Sequence, residues 1–168
     1  MDKKRFIFFA LIICLLLAAC SPSAPHLSPK FGLNPVLTLA NEAPDLNKPV
    51  KLILTFTSVK PPGTENSKLG YHTRIILPPD MFELVEGNLE SEWEMERAGE
   101  IRSTEVTIKS IKTGNAEIWG RVEMVIDGSA SASEFDVMFV KITKDGATVS
   151  KTPPQSGFSL SCAQKEVR

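Results

Sequence analysis

Five glutamates crowd one short segment and are the first candidates for acid–base chemistry: Glu90, Glu92, Glu94, Glu96 and Glu100. On a strand, the first four would point to the same side, about 7 Å apart in succession. That distance resembles the separation of the paired carboxyls of glycosidases, which however place them on different elements around a cleft. A row of glutamates on one strand face is better explained as a charged edge that blocks sheet-to-sheet aggregation. A weak Ca²⁺ contact is the alternative, although no Asp-x-Asp loop accompanies the row.

Nucleophilic catalysis needs a base beside the nucleophile. His72 could in principle serve a serine or Cys162, but the sequence contains no Gly-x-Ser-x-Gly elbow. We therefore predict that His72 is a solvated strand residue. A lone thiol such as Cys162 cannot stabilise the fold through a disulfide within the domain, and we expect it to be a small residue in a tail. The functional alternative is a nucleophile or an intermolecular disulfide.

Copper is the metal that best suits small exported β-sandwiches, which hold it with His and Met ligands. Four methionines follow the N-terminal segment, at Met81, Met95, Met124 and Met138, without a His-x-Met or Met-x-x-Met cluster. Met124 falls in register with an apolar strand face, which predicts core packing. Zinc lacks even three plausible ligands. We therefore expect no metal and no cofactor.

Trp119 stands out on the polar face of a strongly alternating segment, between Glu117 and Arg121. Exposed aromatic side chains are common anchors for protein partners, and arginine is enriched beside them. Trp119 and Arg121 are therefore the candidate binding surface, for an envelope protein or a glycan. The alternative is that this face is covered, for instance by a C-terminal tail that contains Phe158 and Leu160.

The N-terminus has the three regions of a secretory signal in order. A basic head of Lys3, Lys4 and Arg5 precedes an uncharged run over 6–17, and small residues then lead to Cys20. The apolar stretch is shorter than the roughly 20 residues that a membrane-spanning helix needs. The sequence thus predicts an exported protein.

The end of this signal, Leu17-Ala18-Ala19-Cys20, resembles the lipobox of bacterial lipoproteins. The resemblance implies that the signal peptide, residues 1–19, is cut before Cys20 and that the Cys20 thiol carries a diacylglyceryl group. Fatty acyl chains such as palmitate would then hold the protein at a membrane, because one chain alone binds only marginally and further chains make attachment stable. Ser21 after the cysteine is compatible with a location at an outer membrane as well as at the cell membrane. In either case the domain would face outside the cytoplasm.

Cleavage before Cys20 leaves a single domain's length of chain, about 150 residues. Removal of Asp2 and the three basic residues leaves sixteen basic and nineteen acidic side chains, a net charge of −3. No basic stripe is present, so nucleic acid is not expected as a partner. Residues 20–34 contain Pro22, Pro25 and Pro29 without apolar periodicity, which indicates a flexible tether.

From Pro35 onward the apolar residues alternate with polar ones, as half-buried strands require. Turn signals such as Pro61-Pro62-Gly63 and Asp127-Gly128 separate the runs, and no segment is a convincing helix. We predict strands at 50–57, 71–77, 82–85 (a short strand or turn), 91–96, 104–110, 116–126 and 134–143. Seven to eight short strands predict an all-β antiparallel β-sandwich over 35–150, with a barrel as the alternative, followed by a tail at 151–168.

Three segments resemble the extracellular Ig-like repeats of bacterial and archaeal surface proteins. They are Asn41-Glu42-Ala43-Pro44 before the first predicted strand, Ile76-Leu77-Pro78-Pro79-Asp80, and Lys112-Thr113-Gly114-Asn115-Ala116-Glu117-Ile118. The likeness covers roughly residues 36–143 and implies an Ig-like sandwich without catalytic residues. We accordingly expect a non-enzymatic, lipid-anchored cell-envelope protein that acts as a binding or structural module. A small-ligand or copper carrier is the alternative, and a hydrolase comes third.

Overall fold

The computed structural model describes residues 31–40 and 43–153, which form an all-β unit without a helix. Cys20, Cys162, the predicted signal peptide and most of the predicted tether and tail lie outside these residues. The strands are β1 (Val36–Leu39), β2 (Pro49–Thr57), β3 (Leu69–Ile76), β4 (Phe82–Gly87), β5 (Glu90–Glu94), β6 (Ile101–Ser110), β7 (Gly114–Ile126), β8 (Ser129–Thr143) and β9 (Gly146–Ser150).

The strands form two antiparallel sheets that pack as a β-sandwich. One sheet has the order β1-β2-β6-β4, and the other has the order β5-β3-β7-β8-β9. Without the edge strands β5 and β9, these orders match the ABED and CFG sheets of the constant-type immunoglobulin fold. The predicted all-β antiparallel sandwich is therefore confirmed, and the barrel alternative is not needed.

The predicted alternation is confirmed along β2 and β7. Every second side chain of β2, from Val50 to Phe56, is buried. On β7 the buried set runs from Ala116 to Met124, and Val122 at its middle has no exposed surface. These side chains point between the sheets, where burial of apolar surface supplies most of the stabilisation.

A single tyrosine occupies the centre of the core. Tyr71 on β3 is 1% exposed, and its ring lies 5.1 Å from the ring of Phe56 on β2. Its hydroxyl donates to the Val59 carbonyl at 2.7 Å and accepts the Val59 N–H at 2.9 Å. Strand β3 is the one that carries the buried tryptophan in antibody domains, so Tyr71 fills the corresponding part of this core.

The sheets also approach closely at Gly120, on the inward face of β7. A methyl group built there would lie 2.6 Å from a Leu54 methyl carbon and 3.3 Å from a Leu37 methyl carbon. The leucines of β1 and β2 thus occupy the space that a side chain on β7 would need. Nearby, the Thr73 and Thr104 hydroxyls join the two sheets through a buried hydrogen bond of 2.7 Å.

Two strands of the described residues were not among those predicted, so the strand number is nine rather than seven or eight. Strand β1 has only four residues, and β9 has five residues with little apolar content. Both are too short for alternation to distinguish them from loops. They are strands because each pairs along one edge with a longer strand, β2 or β8.

The start of the last predicted strand, given as residue 134, was wrong. Asp127 and Gly128 both have positive φ, 49° and 81°, which is the backbone of a two-residue hairpin turn that suits Asp-Gly. Strand β8 therefore begins at Ser129 and continues β7 as one long hairpin. Nor is β8 the last strand, since β9 follows it.

The packed unit begins a few residues earlier than the domain boundary predicted at residue 35. Leu33 has no exposed surface, and its carbonyl accepts the Thr57 N–H at 2.8 Å. Residues 31–34, assigned to the tether from composition, are thus bound to the sandwich. Apolar content alone could not reveal this, because Leu33 stands among polar residues and prolines.

We predict that Tyr71 ionises only at strongly alkaline pH. Burial raises the pKa of the Tyr71 hydroxyl above its ordinary value of 10.0. A raised pKa means that folding favours the neutral phenol, so this stabilisation is complete below pH 10 and is lost as the pH rises through the folded-state pKa. Because Tyr71 is the only tyrosine of the chain, tyrosinate absorbance reports it alone. A titration midpoint at the ordinary value in the folded protein would contradict the buried position.

Candidate functional site

The outer face of the five-stranded sheet carries a cluster of apolar side chains that point away from the core. We call Ile76, Trp119, Phe135 and Val137 the apolar patch. Trp119 is the cross-strand partner of Ile76 on β3 and of Val137 on β8. Ile76 is 46% exposed and Phe135 is 61% exposed. A side chain as large and apolar as Phe135 is unusual at that exposure in the middle of a sheet.

Trp119 is half-buried rather than fully solvated, because Phe135 leans against it. Their ring centroids lie 5.3 Å apart at an interplanar angle of 43°, which is a favourable geometry for an aromatic pair. The sequence placed Trp119 on a polar face but did not predict its aromatic neighbour. The patch therefore presents two joined rings rather than one isolated tryptophan.

Arg121 lies next to the patch, where the charged half of the same sheet face begins. Its Nε donates to the Ser133 hydroxyl at 2.8 Å, and its guanidinium lies 3.2 Å from a Glu123 carboxylate oxygen. Arg74 on β3 is the cross-strand partner of Arg121, and it forms an ion pair of 2.8 Å with Glu90 of β5. Trp119 and Arg121 thus share one face, as predicted, at the border between apolar and charged halves.

The outer face of the other sheet is different in kind. Its central positions hold threonines and a serine together with an ion pair between Lys51 and Glu105 at 2.9 Å. The hydroxyl residues there are Thr55, Thr57, Ser103 and Thr107. Val36 and Ile101, which are 44% and 72% exposed, also lie on this face, but its strands present no exposed aromatic side chain. The contrast locates the candidate binding surface on the five-stranded sheet.

The glutamate row lies along the edge strand β5, as predicted. Glu90, Glu92 and Glu94 are exposed and alternate with half-buried residues. Each faces a basic side chain: Glu90 faces Arg74, Glu92 lies 3.6 Å from His72, and Glu94 lies 2.7 Å from Lys68. The hydrogen bond and charge of Lys68 lower the pKa of the Glu94 carboxyl. A general acid needs the opposite environment, one that raises its pKa.

The other chemical candidates are distributed through the fold rather than brought together. His72 is exposed on β3, and Met124 and Met138 are buried in the core. Cys162 lies outside the described residues. Within residues 31–40 and 43–153, no group of three or more His, Cys, Asp or Glu side chains is placed to hold a metal ion.

Two inward-facing carboxylates on β8 form a site that sequence reasoning missed. Glu134 accepts backbone N–H groups from Phe31, from Gly32 at 3.0 Å and from Asn34 at 3.1 Å. Asp136 accepts the Leu37 N–H at 2.7 Å. Carboxylates that accept several backbone N–H groups make strong, charge-assisted hydrogen bonds.

Asp136 also binds the other end of the described chain. The Lys151 ammonium donates to the Asp136 carboxylate and, at 2.6 Å, to the Leu37 carbonyl. The sequence did hold a signal for this site. Glu134 and Asp136 occupy the same alternation phase as buried Ala132 and Met138, and acids in an apolar phase usually have specific partners.

Comparisons with known proteins add no relationship from which to infer function. No protein-family model matches the chain, and no curated protein sequence matches it. In the part of the chain that the structure describes, no helix is long and apolar enough to cross a membrane.

We predict that Asp136→Ala loosens the N-terminal segment. Loss of a hydrogen bond to a charged group typically costs about 1.5–3 kcal/mol, so the free energy of unfolding should fall by that amount. Amide hydrogen exchange at Leu37 should accelerate, because its acceptor is gone. Glu117→Ala is the matched control, since it removes an outward-facing carboxylate from the same sheet and should change stability by less than about 0.5 kcal/mol. Unchanged Leu37 exchange in Asp136→Ala would contradict the assignment.

Proposed function

We propose that the chain is a non-enzymatic, lipid-anchored protein of the cell envelope whose β-sandwich acts as a binding module. Cys20 carries the lipid, at the cell membrane or an outer membrane, and the domain faces outside the cytoplasm. The partner is an envelope protein or a glycan that contacts Trp119 and Arg121. The single observation that carries the binding role is the Trp119–Phe135 aromatic pair in the apolar patch of one outer face, because the strands of the other sheet present no exposed aromatic side chain.

The attachment of the N-terminal segment supports the anchoring part of the proposal. Glu134 holds residues 31–34 against the sandwich, so in this proposal at most residues 20–30 separate the lipid on Cys20 from the domain. A flexible chain of that length has an end-to-end distance of about 18 Å, and full extension gives roughly 36–40 Å. The domain is therefore kept within about its own diameter of the membrane.

The composition of the outer face supports the binding part. Aromatic residues and arginine are enriched among the residues that dominate interface energetics. Trp119 and Phe135 expose rigid rings, while Arg121 and Arg74 offer charged hydrogen-bond donors beside them. An apolar centre with a polar rim is the usual anatomy of a protein interface.

The environment of the acidic residues supports a non-enzymatic role. The carboxylates of β5 are exposed and face lysine, arginine or histidine. Acid–base catalysts are instead desolvated or placed beside like charges, so that their pKa values move toward neutrality. A strand of paired glutamates is better suited to keep the sheet edge from pairing with other chains.

The anchor is tested by Cys20→Ala. Lipoprotein processing recognises the modified cysteine, so the variant should accumulate as a precursor with its signal attached. Cells labelled with a radioactive or clickable fatty acid should incorporate label into the unchanged protein but not into the variant. Cys162→Ala is the control and should label normally. Equal labelling of Cys20→Ala would reject the anchor.

The binding face is tested by photo-crosslinking in intact cells. A benzoylphenylalanine placed at Phe135 should give a discrete crosslinked adduct. The same group at Val36, which is 44% exposed on the outer side of the four-stranded sheet, should give none. Adding Trp119→Ala should weaken the Phe135 adduct strongly, because truncating a central interface tryptophan often costs about 2 kcal/mol, roughly thirty-fold in affinity.

Two outcomes would reject this face. One is an adduct of equal yield at Val36 and Phe135. The other is no adduct at Phe135 under conditions in which the protein is present and folded at the membrane.

A further inference from the structure

We infer that the chain's own C-terminal segment, residues 157–162, docks on the apolar patch, with Phe158 and Leu160 against Trp119 and Phe135. This goes beyond the proposed function, because it states what occupies the face within one molecule. It depends neither on the lipid nor on a partner. Four features of the described residues and the sequence support it.

The first feature is the place where the described chain ends. The last strand, β9, lies beside β8, with Ser150 as the cross-strand partner of Phe139. The Lys151 ammonium binds the Asp136 carboxylate on the inner side of β8, whereas Phe135 and Val137 point outward from the same strand, so it is the course of the backbone that brings the chain near the patch. The segment after β9 therefore starts directly beside the strand that carries half of the patch.

The second feature is the break after β9. Pro153 and Pro154 follow Thr152, and proline cannot donate to a strand ladder. The chain therefore cannot simply extend β9 along β8. Three residues later Gly157 has the backbone freedom to change direction. The sequence therefore permits the segment after Thr152 to turn away from the line of β9 beside the patch.

The third feature is the reach. Neighbouring strands lie about 4.8 Å apart, so the β7 residue Trp119 is two strand spacings, about 10 Å, from the line of β9. Phe158 comes five residues after Pro153, which allows a span of about 17 Å. Phe158 and Leu160 can therefore both reach the patch without displacing β9.

The fourth feature is the match between the segment and the surface. The segment Gly157-Phe158-Ser159-Leu160-Ser161-Cys162 alternates apolar and small polar residues and carries no charge. In an extended conformation, Phe158 and Leu160 would point to the same side. The patch is likewise uncharged, so docking buries apolar surface without stripping water from an ion pair.

The test uses the mature lipoprotein purified in detergent, with Trp93→Phe throughout. The chain contains two tryptophans, so Trp119 is then the only fluorophore of its kind. The test variant combines Phe158→Ser with Leu160→Ser. The matched control is Val167→Ser, which removes an apolar side chain from the same tail outside the alternating segment.

We expect the double variant to shift Trp119 emission to the red and to make it more accessible to acrylamide, while the control changes neither. The thermal transition shows that both variants remain folded. As a second measurement, a nitroxide attached to Cys162 should quench Trp119 emission in the otherwise unchanged chain, and this quenching should be lost in the double variant.

The inference is overturned if emission and acrylamide quenching are the same with and without Phe158 and Leu160, or if the nitroxide leaves Trp119 unquenched. Other occupants give different patterns. A change of Trp119 emission with protein concentration in both variants would assign the patch to a second copy. A change on adding phosphatidylcholine vesicles to both variants would assign it to the lipid surface. Neither result depends on whether an envelope partner exists.

Discussion

The inward-facing residues of the two sheets form one shared apolar layer, and the rest of the structure depends on their alternation. Strand β7 sets this layer, because it pairs with β3 on one side and β8 on the other. A slip of one residue would exchange buried Val122 for the charged Glu123 and would turn every side chain of the strand around. Tyr71 and Phe56 fill the centre, where antibody domains use a disulfide and a tryptophan. The layer therefore relies on packing and on a few buried polar groups such as the hydrogen-bonded Thr73–Thr104 pair.

The same layer explains why acids occur in an inward phase of β8. The irregular segment before β1 has backbone N–H groups that no strand satisfies, and buried donors require acceptors. Glu134 supplies acceptors for this segment and Asp136 supplies one for Leu37 of β1, which lets Leu33 and Leu37 close the open side of the sandwich. Strand β8 therefore has three structural roles. It contributes Met138 to the core, binds both ends of the described chain through its acids, and presents Phe135 and Val137 outward.

The sequence was sufficient for the parts of the fold that repeat over many residues. The facing of β2, β3, β6 and β7 and the edge position of the glutamate strand were all predictable from alternation. Short strands were not predictable, because β1 and β9 gain their pairing from neighbours. The aromatic pair of Trp119 and Phe135 was missed for a related reason. It depends on the cross-strand register, which the two-residue turn at Asp127-Gly128 and the β-bulge between Met124 and Val125 determine together.

Strand β8 also brings the proposed binding role and the proposed docking of the tail into competition. A segment joined to the domain by a few residues acts at an effective concentration that reaches millimolar. Even a weak intrinsic contact between Phe158 and the patch can then cover Trp119 most of the time. If the patch is free about a tenth of the time, a partner binds with about a ten-fold weaker apparent affinity. A partner that also contacts Arg121 and Arg74 gains ionic contacts that the uncharged tail segment lacks. The charged half of the face is therefore the part that can favour a partner over the tail.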